Sequence, residues 1–108
     1  MPDKAPWRQE VELIQNYSKH KTFTFTTSSA DAEDAVVLAG NMEECNKISF
    51  VVESADAYIE FDGDATTSTM YVPQDEGYFD DSIWFGTKIS IKRAASTNAR
   101  IRGILWGR

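Results

Sequence analysis

The sequence predicts an all-β fold: an antiparallel β-sandwich of jelly-roll or immunoglobulin-like type, with seven or eight strands and an extended N-terminal arm. Three observations predict it. Residues 46–63 contain two runs of period-2 alternation. Ile48, Phe50 and Val52 alternate with Lys47, Ser49 and Val51, then Ala57, Ile59 and Phe61 alternate with Tyr58, Glu60 and Asp62. Such alternation, rich in β-branched and aromatic residues, gives a strand one buried face. Comparable short runs recur along the chain, set apart by turn chemistry. No stretch makes a convincing helix, and short strands at regular spacing favour a two-sheet architecture.

The elements follow in order. Residues 1–20 form the arm, where Pro2 and Pro6 oppose regular structure and Trp7 supplies a large apolar side chain. Within it, residues 9–18 fit helical spacing (Trp7, Val11, Ile14) and strand spacing (Val11 and Leu13 against Glu10 and Glu12), and the β character downstream favours a strand. The sandwich domain runs from 21 to 108. Residues 21–27 point Phe23 and Phe25 one way and threonines the other. Residues 35–39 make a short buried strand, ended by Gly40–Asn41. The central pair at 46–63 is expected to lie side by side across Ser54–Ala55–Asp56, so that the sheet grows outward from it. Residues 64–68 read as an exposed loop, 69–73 as a strand stopping at Pro73, and 78–85 as a stretch mixing aromatics with Asp80 and Asp81. In residues 87–92, Ile89 and Ile91 point in, while Lys88, Ser90 and Lys92 point out. Residues 99–106 close the sheet, with Ile101 inward, Arg100 and Arg102 outward and Gly103 expected as a bulge that shifts the register before Leu105.

A chain of 108 residues is one domain, large enough to bury roughly two-thirds of its unfolded surface. At 26% charged and 42% apolar residues it can fill a core without wholesale disorder. Cys45 is the sole cysteine, which excludes an internal disulfide framework and fits a reducing cytoplasm. No apolar run approaches the roughly 18 residues of a membrane span, and the first residues carry no secretory h-region.

The net charge of −6 is unevenly laid out. Residues 1–30 carry +1. Residues 31–81 set fourteen acids against Lys47 alone, giving −13, and residues 82–108 carry six cations and no acid. The strands either bring these blocks together within one molecule, or an acidic face of one copy meets a basic face of the next. A small basic set on an acidic protein disfavours nucleic acid.

The chemical motifs are weak. Asp62–Gly63–Asp64–Ala65–Thr66 spells the D-x-D-x-T nucleophile string of haloacid-dehalogenase-type phosphatases, yet that chemistry needs a parallel α/β scaffold that an antiparallel pattern lacks. An EF-hand loop starting at Asp62 would need Glu where Pro73 stands. The Asp62–Asp64 stretch is therefore a solvated turn, or a calcium site completed by Asp80 or Asp81. His20 is the only histidine, and with no second His and no clustered Cys a zinc site is disfavoured. Any Ser or Cys triad would have to use His20, which sits between Lys19 and Lys21 in a basic stretch expected to be exposed. Cys45 follows Glu43 and Glu44, whose charge suppresses its thiolate. No catalytic residue, cofactor or metal ligand is assigned. Tyr78, Phe79, Trp84 and Phe85 are more aromatics than a small sandwich readily hides, and surplus surface aromatics mark contacts with proteins or sugar rings.

Residues 47–108 resemble small structural proteins of tailed-bacteriophage virions. The likeness rests on a strand ending in Phe61–Asp62–Gly63, a short strand ending at Val72–Pro73, the aromatic stretch, the strand Lys88–Ile89–Ser90–Ile91, and a closing strand ending Trp106–Gly107. It implies a β-sandwich virion component, either a capsid decoration (cement) protein or a small head–tail or tail protein. The resulting expectation is a non-enzymatic protein made in the host cytoplasm and carried in the virion. It would bind other virion proteins, assemble as a homo-oligomer, and engage no nucleic acid or membrane. The expected contact residues are Trp7 and Arg8 on the arm, Tyr78, Phe79, Trp84 and Phe85, and the basic edge Arg100, Arg102 and Arg108. The competing reading is a carbohydrate-binding sandwich, with aromatics stacking on sugars and Asp80 or Asp81 bonding their hydroxyls.

Overall fold

The computed structural model describes residues 19–38, 44–81 and 86–108. These form eight strands: β1 (Lys19–Thr26), β2 (Glu33–Val37), β3 (Cys45–Glu53), β4 (Ala57–Phe61), β5 (Met70–Val72), β6 (Gly77–Asp80), β7 (Lys88–Arg93) and β8 (Arg100–Gly107). They make two antiparallel four-stranded sheets. Sheet I has the order β1-β8-β3-β6 and sheet II the order β2-β7-β4-β5. Consecutive strands alternate between the sheets at every step except β4 to β5. The pairings nest: β1 with β8, β2 with β7, β3 with β6 and β4 with β5.

Alternation explains why these segments are strands. Ile48, Phe50 and Val52 on β3, Ile101 and Leu105 on β8, and Phe23 on β1 face inward from sheet I. Val36, Ala57, Ile59, Val72, Ile89 and Ile91 face them from sheet II, and all belong to one buried cluster. At roughly 25 cal/mol per Å² of apolar surface, burial on this scale is the main favourable term for a chain with no disulfide.

The central segment folds differently from the expectation of a paired hairpin. β3 and β4 lie in different sheets, and Ser54–Ala55–Asp56 carries the chain across the core. Ser54 takes a positive φ of 74° there. Asp56 fixes the crossing by accepting hydrogen bonds from Tyr71 Oη and Gln74 N, each at 2.7 Å. The physical reason is that Val52 and Ala57, both fully buried, end up on opposite walls of the same core. The segment still lies at the centre of the fold, because β3 and β4 are each an interior strand of their sheet.

Three finer expectations also change. Gly103 is not a bulge: it pairs in register with Phe23 and with Phe50. A Cβ at Gly103 would overlap the Ser49 carbonyl oxygen and the Phe50 side chain, so close strand approach is what requires glycine. The register shifts lie between Asp34 and Val36 and between Cys45 and Lys47. Ser90, expected outside, is fully buried because the 62–69 loop folds over the outer face of sheet II. There Ala65, only 2% exposed, donates its N–H to Ser90 Oγ at 2.9 Å, so the loop is not simply solvated. The aromatic stretch forms a strand only as far as Asp80, and residues 82–85 lie outside the described set.

Candidate functional site

Because residues on a strand alternate in direction, every core residue of sheet I fixes an outward neighbour. The register sets these outward residues in rows: His20, Trp106 and Lys47; Thr22, Ile104, Ser49 and Phe79; Thr24, Arg102 and Val51; Thr26, Arg100 and Glu53. Phe79 is 60% exposed, the largest fraction for a bulky apolar side chain among the described residues. Ile104, Trp106 and Val51 are half-buried around it. Trp106 also packs on the His20 ring, with centroids 4.9 Å apart. Apolar side chains therefore cross the outer face in a stripe that Ser49 interrupts and that Thr22, Thr24, Lys47 and Arg102 border.

The charges on this face are settled within the chain. Arg102 clamps Glu53 through Nε and through Nη2 at 2.9 Å, and Arg100 Nη2 adds a third contact at 3.0 Å. These hydrogen bonds, Arg102's first, hold the Glu53 carboxyl down at about 2. At the far end Arg108 pairs with Glu44 at 3.5 Å. On the other sheet Lys88 bridges Asp34 at 3.0 Å and Asp64 at 2.9 Å. The basic C-terminal block and the acidic central block thus meet inside one molecule at all of these pairs.

The expected contact residues separate. Phe79 joins the exposed stripe. Tyr78 turns inward, stacking on Phe50 at 5.4 Å and meeting Phe61 at 5.8 Å, with its hydroxyl donated to Asp80 at 2.8 Å. Burial and that bond raise the Tyr78 pKa. Arg100 and Arg102 border the stripe and Arg108 follows directly after β8, each held by a carboxylate. Trp7, Arg8, Trp84 and Phe85 lie outside the described residues. Sequence reasoning missed Ile104 and Trp106. The signal was present: strict alternation from Ile101 through Leu105 leaves both pointing out once no bulge is inserted at Gly103.

Asp62 and Asp64 are occupied by the fold. Asp62, at φ 69°, accepts the Thr87 N–H at 2.6 Å, while Asp64 pairs with Lys88. Asp80 lies across the core on sheet I. Among the described residues no three His, Cys, Asp or Glu side chains come together as a metal site, and no helix is long and apolar enough to cross a membrane. Cys45 is buried beside Lys47 O at 3.3 Å, and burial raises its thiol pKa. A second, smaller aromatic feature sits on sheet II, where Tyr58 and Tyr71 pack with ring centroids 5.6 Å apart beside Asp56. The chain matches no protein-family model, no curated protein and no solved structure. Fold and face together define a small two-sheet β protein whose outer sheet I face carries exposed Phe79 and half-buried Ile104, Trp106 and Val51.

Proposed function

We propose that this protein is a non-enzymatic structural component of a tailed-bacteriophage virion, a capsid decoration (cement) protein or a small head–tail or tail component, bound through the outer face of sheet I. The observation that carries this reading is the stripe of Phe79, Ile104, Trp106 and Val51. An apolar patch rimmed by polar residues is what a protein-binding surface requires. The nested strand order adds support. Pairing of first with last, second with seventh, third with sixth and fourth with fifth supports a jelly-roll reading, and jelly rolls recur in viral capsid domains. An immunoglobulin-like arrangement pairs sequence-consecutive strands more often. The protein is made in the host cytoplasm and retained in the particle, with other virion proteins and further copies of itself as partners.

The test is a density gradient of lysate from cells infected by the phage that encodes the chain. Epitope-tagged protein should band with particles, and Phe79→Glu should fold normally yet remain at the top. Tagged protein absent from the particle band would overturn the assignment. A carbohydrate-binding role is the second reading, favoured by the Tyr58–Tyr71 pair beside Asp56, since jelly rolls also serve as lectins. A glycan array separates the two, because a virion-binding protein gives no sugar-specific signal.

A further inference from the structure

Four strands edge the two sheets, and three carry devices that block pairing with another chain. β5 has three residues and runs into Pro73. β6 has four, opening on Gly77 and closing on Asp80. β2 is interrupted by the register shift at Asp34–Val36. β1 differs: it is eight residues long, contains neither Pro nor Gly, confines its lysines to Lys19 and Lys21 at its N-terminal end, and stays in unbroken register with β8 from Lys19 to Thr26. Among the described residues β8 is its only strand partner.

Which backbone groups β1 leaves open follows from one hydrogen bond. Thr27 N donates to Ala99 O at 2.9 Å, so odd-numbered residues of β1 bond across to β8. The even residues His20, Thr22, Thr24 and Thr26 therefore aim their N–H and C=O groups at the open edge. A groove of about 470 Å³ lies along this edge, lined by Lys21–Thr24 of β1 and Asp34–Val37 of β2. Val37, at its rim, is 46% exposed.

We propose that β1 is a self-pairing edge. Two copies join β1 to β1 antiparallel about a two-fold axis through Phe23, and sheet I continues across the dimer. Only registers matching even residues with even residues satisfy both edges, which restricts the axis to a few positions. An axis through Phe23 sets Thr22 against Thr24 of the second copy and His20 against its Thr26. It also leaves the two Lys21 residues four positions apart, about 14 Å, beyond the Debye length at physiological salt. An axis through Thr22 would halve that spacing, and one through Thr24 would shorten the ladder. The occupant is a second copy because this segment, Thr22-Phe23-Thr24-Phe25-Thr26, meets itself without opposing like charges. The added strand roofs the groove. This pairing stands or fails independently of the virion assignment.

The test combines sedimentation with amide exchange on the full chain. A dimer should form with rising concentration, and exchange at Thr22 and Thr24 should slow at least roughly tenfold between micromolar and millimolar protein. Thr24→Pro removes an edge-facing donor but none of the ladder to β8, and should give a folded monomer. Thr24→Lys, which brings two ammonium groups within about 7 Å across the axis, should do the same and guards against a fold defect in the proline variant. A monomer at about 1 mM would overturn the proposal. So would a dimer that both variants leave intact. Concentration-independent protection of Thr22 and Thr24 that disappears on removing residues 1–18 would also overturn it, by showing that the chain covers its own edge.

Discussion

Glu53 is the residue on which the largest acid-side effect converges. Its carboxyl sits at about 2 because Arg102 and Arg100 hydrogen-bond the ionised form. Protonation breaks that clamp. Its stabilising contribution is therefore fully present above the ordinary carboxylate value of 4.5 and is lost as pH falls toward about 2. Melting curves of wild type and Glu53→Gln should differ at neutral pH and converge as pH drops through this window; parallel curves would show that the clamp contributes nothing. Glu33 and Asp56, held low first by the Ser28 N–H and the Tyr71 hydroxyl respectively, add acid sensitivity in the same direction. Ser90 tests the interior. Ser90→Ala leaves the Ala65 N–H without its acceptor in a buried site, and chemical denaturation should register a loss of about 1–3 kcal/mol. Cys45, buried and with a raised pKa, should react with a thiol reagent only at the rate of unfolding.

Element-scale behaviour depends on β8, the strand between β1 and β3. Gly103 lets Phe50 and Ser49 approach it closely. Gly103→Ala should cost about 1–3 kcal/mol, as overpacking does, and should disturb β3 more than β1, read as faster amide exchange there. Alternation made β8 recognisable, together with its inward Ile101 and outward Arg100 and Arg102. The position of its partners was not recognisable, because period-2 pattern says which face is buried and nothing about which strand lies alongside. The same limit produced the hairpin expectation for β3 and β4. Both strands alternate cleanly, and a three-residue link serves a hairpin or a crossing between sheets equally well until Ser54 and Asp56 are seen in place.

At the scale of the whole molecule, nearly every pairing joins distant parts of the chain, and β1 with β8 joins its extremes. Loop closure must precede such contacts, so refolding should take milliseconds to seconds, and a chain ending at Ala99 should not fold. Stopped-flow fluorescence and circular dichroism check these outcomes. The ion pairs lie within the chain, so raising salt should leave the sedimentation coefficient unchanged at fixed protein concentration. Dissociation by salt would show that the carboxylates and arginines exchange between copies.

The sequence by itself placed most of the strands and, for β1, β3 and β4, the side that is buried, because both are local consequences of alternation and side-chain shape; the strand expected at 35–39 lies instead at Glu33–Val37, and Ser90 is buried rather than outward. It also bounded the chemistry, since one histidine and one cysteine restrict what can be assembled. Only the tertiary structure decided the strand order, the folding of the 62–69 loop over Ser90, the internal pairing of the charge blocks, and the placing of Phe79, Ile104 and Trp106 on one face. Each of these depends on contacts between segments far apart in the chain, and those contacts are selected by filling one shared core from two sheets.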